Sequence, residues 1–197
     1  MSPRVLLLDN RDSFTWNLVH ALRAAGAVVE VRRPGDVLDP FAPGITHVVI
    51  SPGPGHPADA TAARGLVDRC HGRLPLLGVC LGHQVIALQH GGRILRAPIP
   101  VHGKASAIRH TGEEILSAME PGFAAGRYHS LCVDPNPLPR GLRAIAHSED
   151  GVLQAVLCDD APTWGVQFHP ESVLTPGGER ILAWFVQEGR TRGGRRP

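Results

Sequence analysis

The stretch from Leu74 to Gln84 constrains the fold more than any other part of the chain. Its apolar run Leu76-Leu77-Gly78-Val79 stops at Cys80, and the sequence turns helical at once. An extended run that passes into a helix without a linker is a strand, a tight turn and a helix, the repeating unit of α/β folds. Gly78 and Gly82 bracket the turn, and glycine accepts backbone angles that a Cβ resists. Cys80 is therefore expected on the bend with its sulfur exposed, as in a nucleophile elbow. The helix from Leu81 to about His90 would aim its first amides at that sulfur, favouring thiolate over thiol. A buried structural cysteine is the competing reading. What weighs against it is a matching pair of residues far along the chain.

That pair lies in Gly165-Val166-Gln167-Phe168-His169-Pro170-Glu171, where a second apolar strand ends in a histidine and a carboxylate. In extended chain, residues i and i+2 share a face. Pro170 fixes its own φ and biases His169 toward extended geometry, so Glu171 can orient one imidazole nitrogen while the other faces a thiolate. Nucleophile, base and orienting acid are the parts of a triad, whatever their order in sequence.

Short apolar runs alternate with helical patterns through the first half of the chain, which predicts a mainly parallel central sheet flanked by helices. Strands are expected near 4–8, 27–31, 47–50 and 74–79, and helices over 14–25 and 60–70. The first helix is expected to open with Asp12 or Ser13 as cap and to close at Gly26. After Gly91-Gly92 the runs become shorter and punctuated by Gly and Pro, at 104–109, 143–146, 152–158 and 164–167. These predict a small antiparallel extension and a return to the main sheet, before a last helix near 178–188. Residues 1–189 read as one domain, and the 197-residue length suits a single core.

The formal net charge of +2 comes from the end of the chain. Arg190, Arg192, Arg195 and Arg196 leave 16 basic against 18 acidic residues in the rest, so the body has no basic footprint for nucleic acid. Residues 190–197 lack apolar side chains and are expected to be disordered. Val5-Leu6-Leu7-Leu8 is too short for a signal-peptide core and nothing reads as a membrane span, so a cytoplasmic protein is expected. Cys70, Cys80, Cys132 and Cys158 form no CxxC pair; neither a metal site nor a disulfide framework is expected.

Ser51-Pro52-Gly53-Pro54-Gly55 follows the expected 47–50 strand, where loops of open α/β sheets form sites. Two prolines stiffen it and the glycines let its backbone approach a ligand. Without a Gly-Lys-Ser/Thr ending it is not a phosphate loop. Gln84 lies four residues beyond Cys80, on the same helix face.

Gly78-Val79-Cys80-Leu81-Gly82-His83-Gln84 together with Gly165 to Ser172 resembles the triad-type, class I glutamine amidotransferases. Asp9 to Leu18, Ser51 to Gly55, His102-Gly103-Lys104 and Arg127-Tyr128-His129-Ser130-Leu131 support the likeness, and the first, the second and the His129-Ser130-Leu131 part of the last narrow it. They point to the glutaminase components of anthranilate synthase and aminodeoxychorismate synthase. The resemblance runs from about Val5 to Val186 and implies that family's single-domain fold. It implies catalysis by Cys80, His169 and Glu171, and an oxyanion hole from the amides of Gly53 and Leu81. Glutamine would be bound by Gly53, Pro54, Gly55, Gln84, Ser130 and Leu131, with no cofactor. For His83, Tyr128 and His129, packing or supporting hydrogen bonds are the expected roles. Ammonia loses its nucleophilicity when protonated in bulk water, and no second site is legible here. The resemblance thus implies, as partner, a larger chorismate-binding synthase subunit, with neither nucleic acid nor membrane involved. Rival readings are a catalytically silent subunit on the same fold and the amidotransferase part of a guanylate, carbamoyl phosphate or cytidylate system. A thiol redox enzyme is disfavoured because Cys80 has no nearby resolving cysteine.

Overall fold

The computed structural model describes residues 2–193, with side chains described through Gly189. In chain order the elements are β1 (Arg4–Leu8), α1 (Thr15–Ala24), β2 (Val28–Arg32), β3 (His47–Ile50), α2 (Thr61–Cys70), β4 (Leu76–Val79) and α3 (Leu81–Gln89). There follow β5 (Ile94–His110), β6 (Phe123–Val133), β7 (Leu142–Ser148), β8 (Leu153–Cys158), β9 (Thr163–Val166) and α4 (Gly178–Gly193). Among the described residues the strands form one sheet of nine, in the order β2-β1-β3-β4-β9-β8-β7-β5-β6. Pairings from β2 through β9 are parallel, and those from β9 through β8, β7 and β5 to β6 are antiparallel.

Alternation along β1 shows why both faces carry helices. Val5 and Leu7 join one buried cluster with α1 and α4, while Leu6 and Leu8 join another with α2 and α3. Each such fully buried side chain contributes about 1.5–3 kcal/mol by leaving water, so two apolar faces make a three-layer arrangement the stable one. Neither Asp12 nor Ser13 caps α1: Phe14 holds the N-cap position with no side-chain cap bond, Asp12 Oδ1 accepts the Phe14 amide at 2.8 Å in the turn before it, and Gly26 at φ 94 turns the chain out of the helix.

The antiparallel part is larger than the short runs suggest. β5 is 17 residues long although it contains Pro98, Pro100 and Gly103, because register shifts between Arg96 and Val101 and between His102 and Lys104 absorb them. β6, which the sequence pattern does not announce, pairs along its length with β5. α4 continues past the expected boundary at 189 to Gly193, so the first residues of the expected tail prolong the helix. Arginine propagates a helix well and suits its C-terminal end. The rest of that tail, 194–197, lies outside the described residues. No helix among the described residues is long and apolar enough to cross a membrane.

Candidate active site

Three adjacent parallel strands deliver the site. β3 pairs with β4 and β4 with β9, register Gly78 to Gly165 and Val79 to Val166. Their C-terminal ends therefore lie side by side: β3 runs into the Ser51–Gly55 loop, β4 into Cys80, and β9 into Gln167 and His169. This is the edge where open α/β sheets place their ligands. The Cys80 amide donates to Val166 O at 2.8 Å, fastening the elbow to β9.

The strain at the elbow sits on the cysteine itself. Cys80 has φ 51 and ψ −99, whereas Gly78 and Gly82 have no positive φ. The two glycines serve close approach instead of backbone freedom. A Cβ on Gly78 would strike the backbone of Gly82, and one on Gly82 would lie 2.5 Å from Ile50 O. Strand and helix thus touch through glycine, and Cys80, only 7% exposed, is held against its conformational preference at the head of α3.

His169 Nδ1 lies 2.7 Å from Glu171 Oε1, and both side chains are buried. Phe14 and Tyr128 pack on the imidazole at ring separations of 5.2 and 4.8 Å. Nε2 makes no hydrogen bond of regular geometry among the described residues, yet Cys80 is close enough to act on its charge. Burial opposes protonation of this ring; Cys80 and Glu171 overcome it and raise His169 from the ordinary 6.5 to about 10. His83 is the contrast. Buried under Gly165, whose Cβ would sit 2.7 Å from the ring, it is driven by desolvation down to about 3 and stays neutral. His129 is likewise held down to about 4, by burial and then by the Arg127 charge. Both roles agree with packing.

The wall facing Cys80 comes from β6. Tyr128, His129, Ser130 and Leu131 close a cleft of about 180 Å³ with Gly53, Pro54 and Gly55, and Cys80, Leu81 and Gln84 form its floor. Every residue expected to bind glutamine lines it. Gln84 spends both amide hydrogens on the protein, donating to Leu131 O and to Gln167 Oε1, each at 3.0 Å. The amides of Gly53 and Leu81 donate to no acceptor among the described residues.

Several supporting residues carry no role in the sequence reading. Gln167, fully buried, donates from Nε2 to Cys80 Sγ at 3.5 Å. Its signal is a polar residue inside a strand-end run with no exposed face. Asn10 holds the 51–55 loop, its amide nitrogen on Ser51 Oγ at 2.9 Å and its Nδ2 on Ser51 O at 3.1 Å. Asp9 accepts from the Arg11 amide and from Thr15 Oγ1, fixing the turn that carries Phe14 to the imidazole. Arg127, 2% exposed, forks onto Asp150 beneath the β6 wall.

The family model for glutamine amidotransferase class-I matches residues 6–188. The chain belongs to that family. This class-I glutamine amidotransferase is 50% identical over 206 residues to an aminodeoxychorismate synthase of Streptomyces griseus, covering 98% of the chain but 28% of that protein. It is 45% identical to an anthranilate synthase component 2 of Mycobacterium tuberculosis, covering 96% of the chain and 84% of the relative. Among solved structures, a Thermoplasma acidophilum protein provisionally named for GMP synthase superposes with TM-score 0.85 at 22% identity, over 97% of this chain and 96% of that one. That likeness shows the amidotransferase fold.

Proposed function

We propose that this chain hydrolyses glutamine at Cys80 and hands the ammonia to a larger, chorismate-using synthase subunit. The observation that supports the reading is Cys80 on the floor of a cleft of about 180 Å³, a size that suits a single amino acid, with the buried His169–Glu171 pair near its sulfur. Ligand pockets for larger molecules run to about 300–1,000 Å³. Partner and product class rest on the relatives, which are named for anthranilate and aminodeoxychorismate synthesis.

Glutamine lies with its α-amino and α-carboxylate groups against Gln84, Ser130 and Leu131 and its carboxamide over Cys80. The thiolate adds to the carboxamide carbon, and the charge that develops on oxygen meets the free amides of Gly53 and Leu81. His169 gives its proton to the departing nitrogen, ammonia leaves, and a γ-glutamyl thioester remains. His169 then takes a proton from water as the water attacks the thioester, releasing glutamate and restoring the thiolate. Glu171 keeps Nδ1 engaged, so Nε2 is the nitrogen that moves protons. Raising the imidazole pKa suits the first step, in which it must arrive protonated.

Cys80→Ser removes the nucleophile and little volume. With a chorismate-binding synthase subunit present, glutamine-dependent synthesis should fall to background while synthesis from added ammonium salt continues. Wild-type glutamate release by the variant would remove Cys80 from the mechanism.

A further inference from the structure

α3 carries Cys80 at its head and His90 at its C-terminal cap, about 15 Å away at 1.5 Å per residue. There a second cluster assembles from distant parts of the sequence. His71 caps the C-terminus of α2, Cys158 ends β8, and Asp160 stands in the turn to β9. The ligand atoms of His71, His90 and Cys158 all lie within 4.8 Å of one another. Individual edges are tighter: Cys158 Sγ is 3.4 Å from His90 Nε2 and 3.1 Å from Asp160 Oδ1, and His71 Nε2 is 3.8 Å from the same carboxylate oxygen. Zinc bonds of about 2.0–2.3 Å in tetrahedral array set neighbouring ligand atoms about 3.3–3.7 Å apart. These three edges bracket that spacing; the others among His71, His90 and Cys158 stay within 4.8 Å, and Asp160 joins the cluster through Cys158 and His71.

Two further features favour a cation. His90 Nδ1 lies 2.8 Å from Ile86 O, the contact that places the ring proton on Nδ1 and leaves the Nε2 lone pair toward Cys158. Metal-ligating histidines are commonly oriented in this way by a carbonyl partner. The C-terminal ends of α2 and α3 also converge on the cluster, bringing the negative ends of two helix dipoles to one point. A cleft of about 250 Å³ lined by Val67, Asp68, His71, Gln89 and His90 gives entry.

We propose that His71, His90, Cys158 and Asp160 form a zinc-binding site that clamps α2, α3 and the β8–β9 turn together. Two imidazoles, a thiolate and a carboxylate make a borderline-soft set that suits Zn(II) over Mg(II) or Ca(II). Since protein atoms fill all four positions, the ion is structural. Loading replaces the Cys158 thiol proton, now directed at Asp160, which leaves to solvent as the sulfur–zinc bond forms. Cysteine spacing alone predicts no metal here, because its ligands come from separate elements with no CxxC.

The test uses the full-length chain with Cys80→Ser, so that the Cys80–His169 pair cannot compete. After chelator treatment it is titrated with Zn(II) by calorimetry and with Co(II) by absorption. One equivalent should bind, with a thiolate-to-cobalt charge-transfer band and a rise in thermal midpoint. Cys158→Ala should abolish the band. His71→Ala, whose side chain is 40% exposed and can be removed without opening the core, should weaken zinc binding at least tenfold. Absence of saturable one-equivalent binding overturns the proposal. So does binding that neither variant weakens, which would locate the metal elsewhere.

Discussion

Gly53→Ala isolates one proposed element of the reaction, the loop amide, without removing a side chain. An added Cβ would lie 2.5 Å from Asn10 Cβ, 2.8 Å from Leu81 Cδ2 and 3.1 Å from Asn10 O. Favourable carbon contacts begin near 3.5 Å, so something must retreat by about 1 Å. Asn10 is pinned by its two bonds to Ser51, and Leu81 is the first residue of α3, so the loop is what yields. The Gly53 N–H then misses the developing oxyanion. Loss of one such donor costs about 2.7–4 kcal/mol, or a fall in kcat of about 10²–10³-fold. Overpacking should also lower stability by about 1–3 kcal/mol. Steady-state glutamate release and thermal melts measure both, with kcat and kcat/KM expected to fall together. Gly65→Ala is the control: its Cβ meets nothing within 4 Å, so inside half-buried α2 it should leave kcat unchanged and add up to about 1 kcal/mol. A Gly53→Ala enzyme with wild-type kcat and a depressed melting point would refute the donor role while keeping the packing argument.

The positive φ of Cys80 inverts the usual ranking of small residues: Cys80→Gly should be more stable than Cys80→Ala by about 1 kcal/mol, read from denaturant midpoints. The ordinary order, with alanine the more stable, would mean that the elbow is unstrained. His169 contributes stability through its proton, since Cys80 and Glu171 outweigh burial and raise it from 6.5 to about 10. That contribution is complete below pH 6.5 and is lost as the pH climbs through about 10. Glu171→Gln should flatten the loss across that window in a series of thermal midpoints. Parallel slopes for variant and wild type would remove the carboxylate from the cause.

Much of the site can be read from sequence because its parts sit at strand ends. Val79-Cys80 and Phe168-His169 mark the points where apolar runs stop, and a parallel sheet brings such points to one edge. The i, i+2 relation of His169 and Glu171 needs only extended chain. What stays hidden depends on through-space neighbours. Arg127 and His129 put charge and polarity on buried faces of β6, which erases its alternation; Asp150, which satisfies Arg127, lies 23 residues away and beyond any local pattern. Pro98 and Pro100 make β5 look like a loop, since its bulges exist only opposite β6. Gln167 stands inside a legible motif, but its bonds to Cys80 and Gln84 join ends of two elements. Residues 190–197 look disordered by composition, which says little about how far an established helix propagates.

The glycine contacts behind the elbow separate two kinds of selection. Gly78, Gly82 and Gly165 fill gaps where strand, helix and the His83 ring already touch, and any side chain there would push the layers apart. In the proposed reaction Cys80 contributes the chemistry, and its φ of 51 adds a cost in backbone strain. A lineage released from glutamine hydrolysis but still retained as a binding partner would therefore be free to lose its cysteine, gaining stability where glycine takes its place, while its other glycines stayed frozen. In such descendants the surviving glycine pattern, with no nucleophile between its members, would be the fossil of an abandoned reaction.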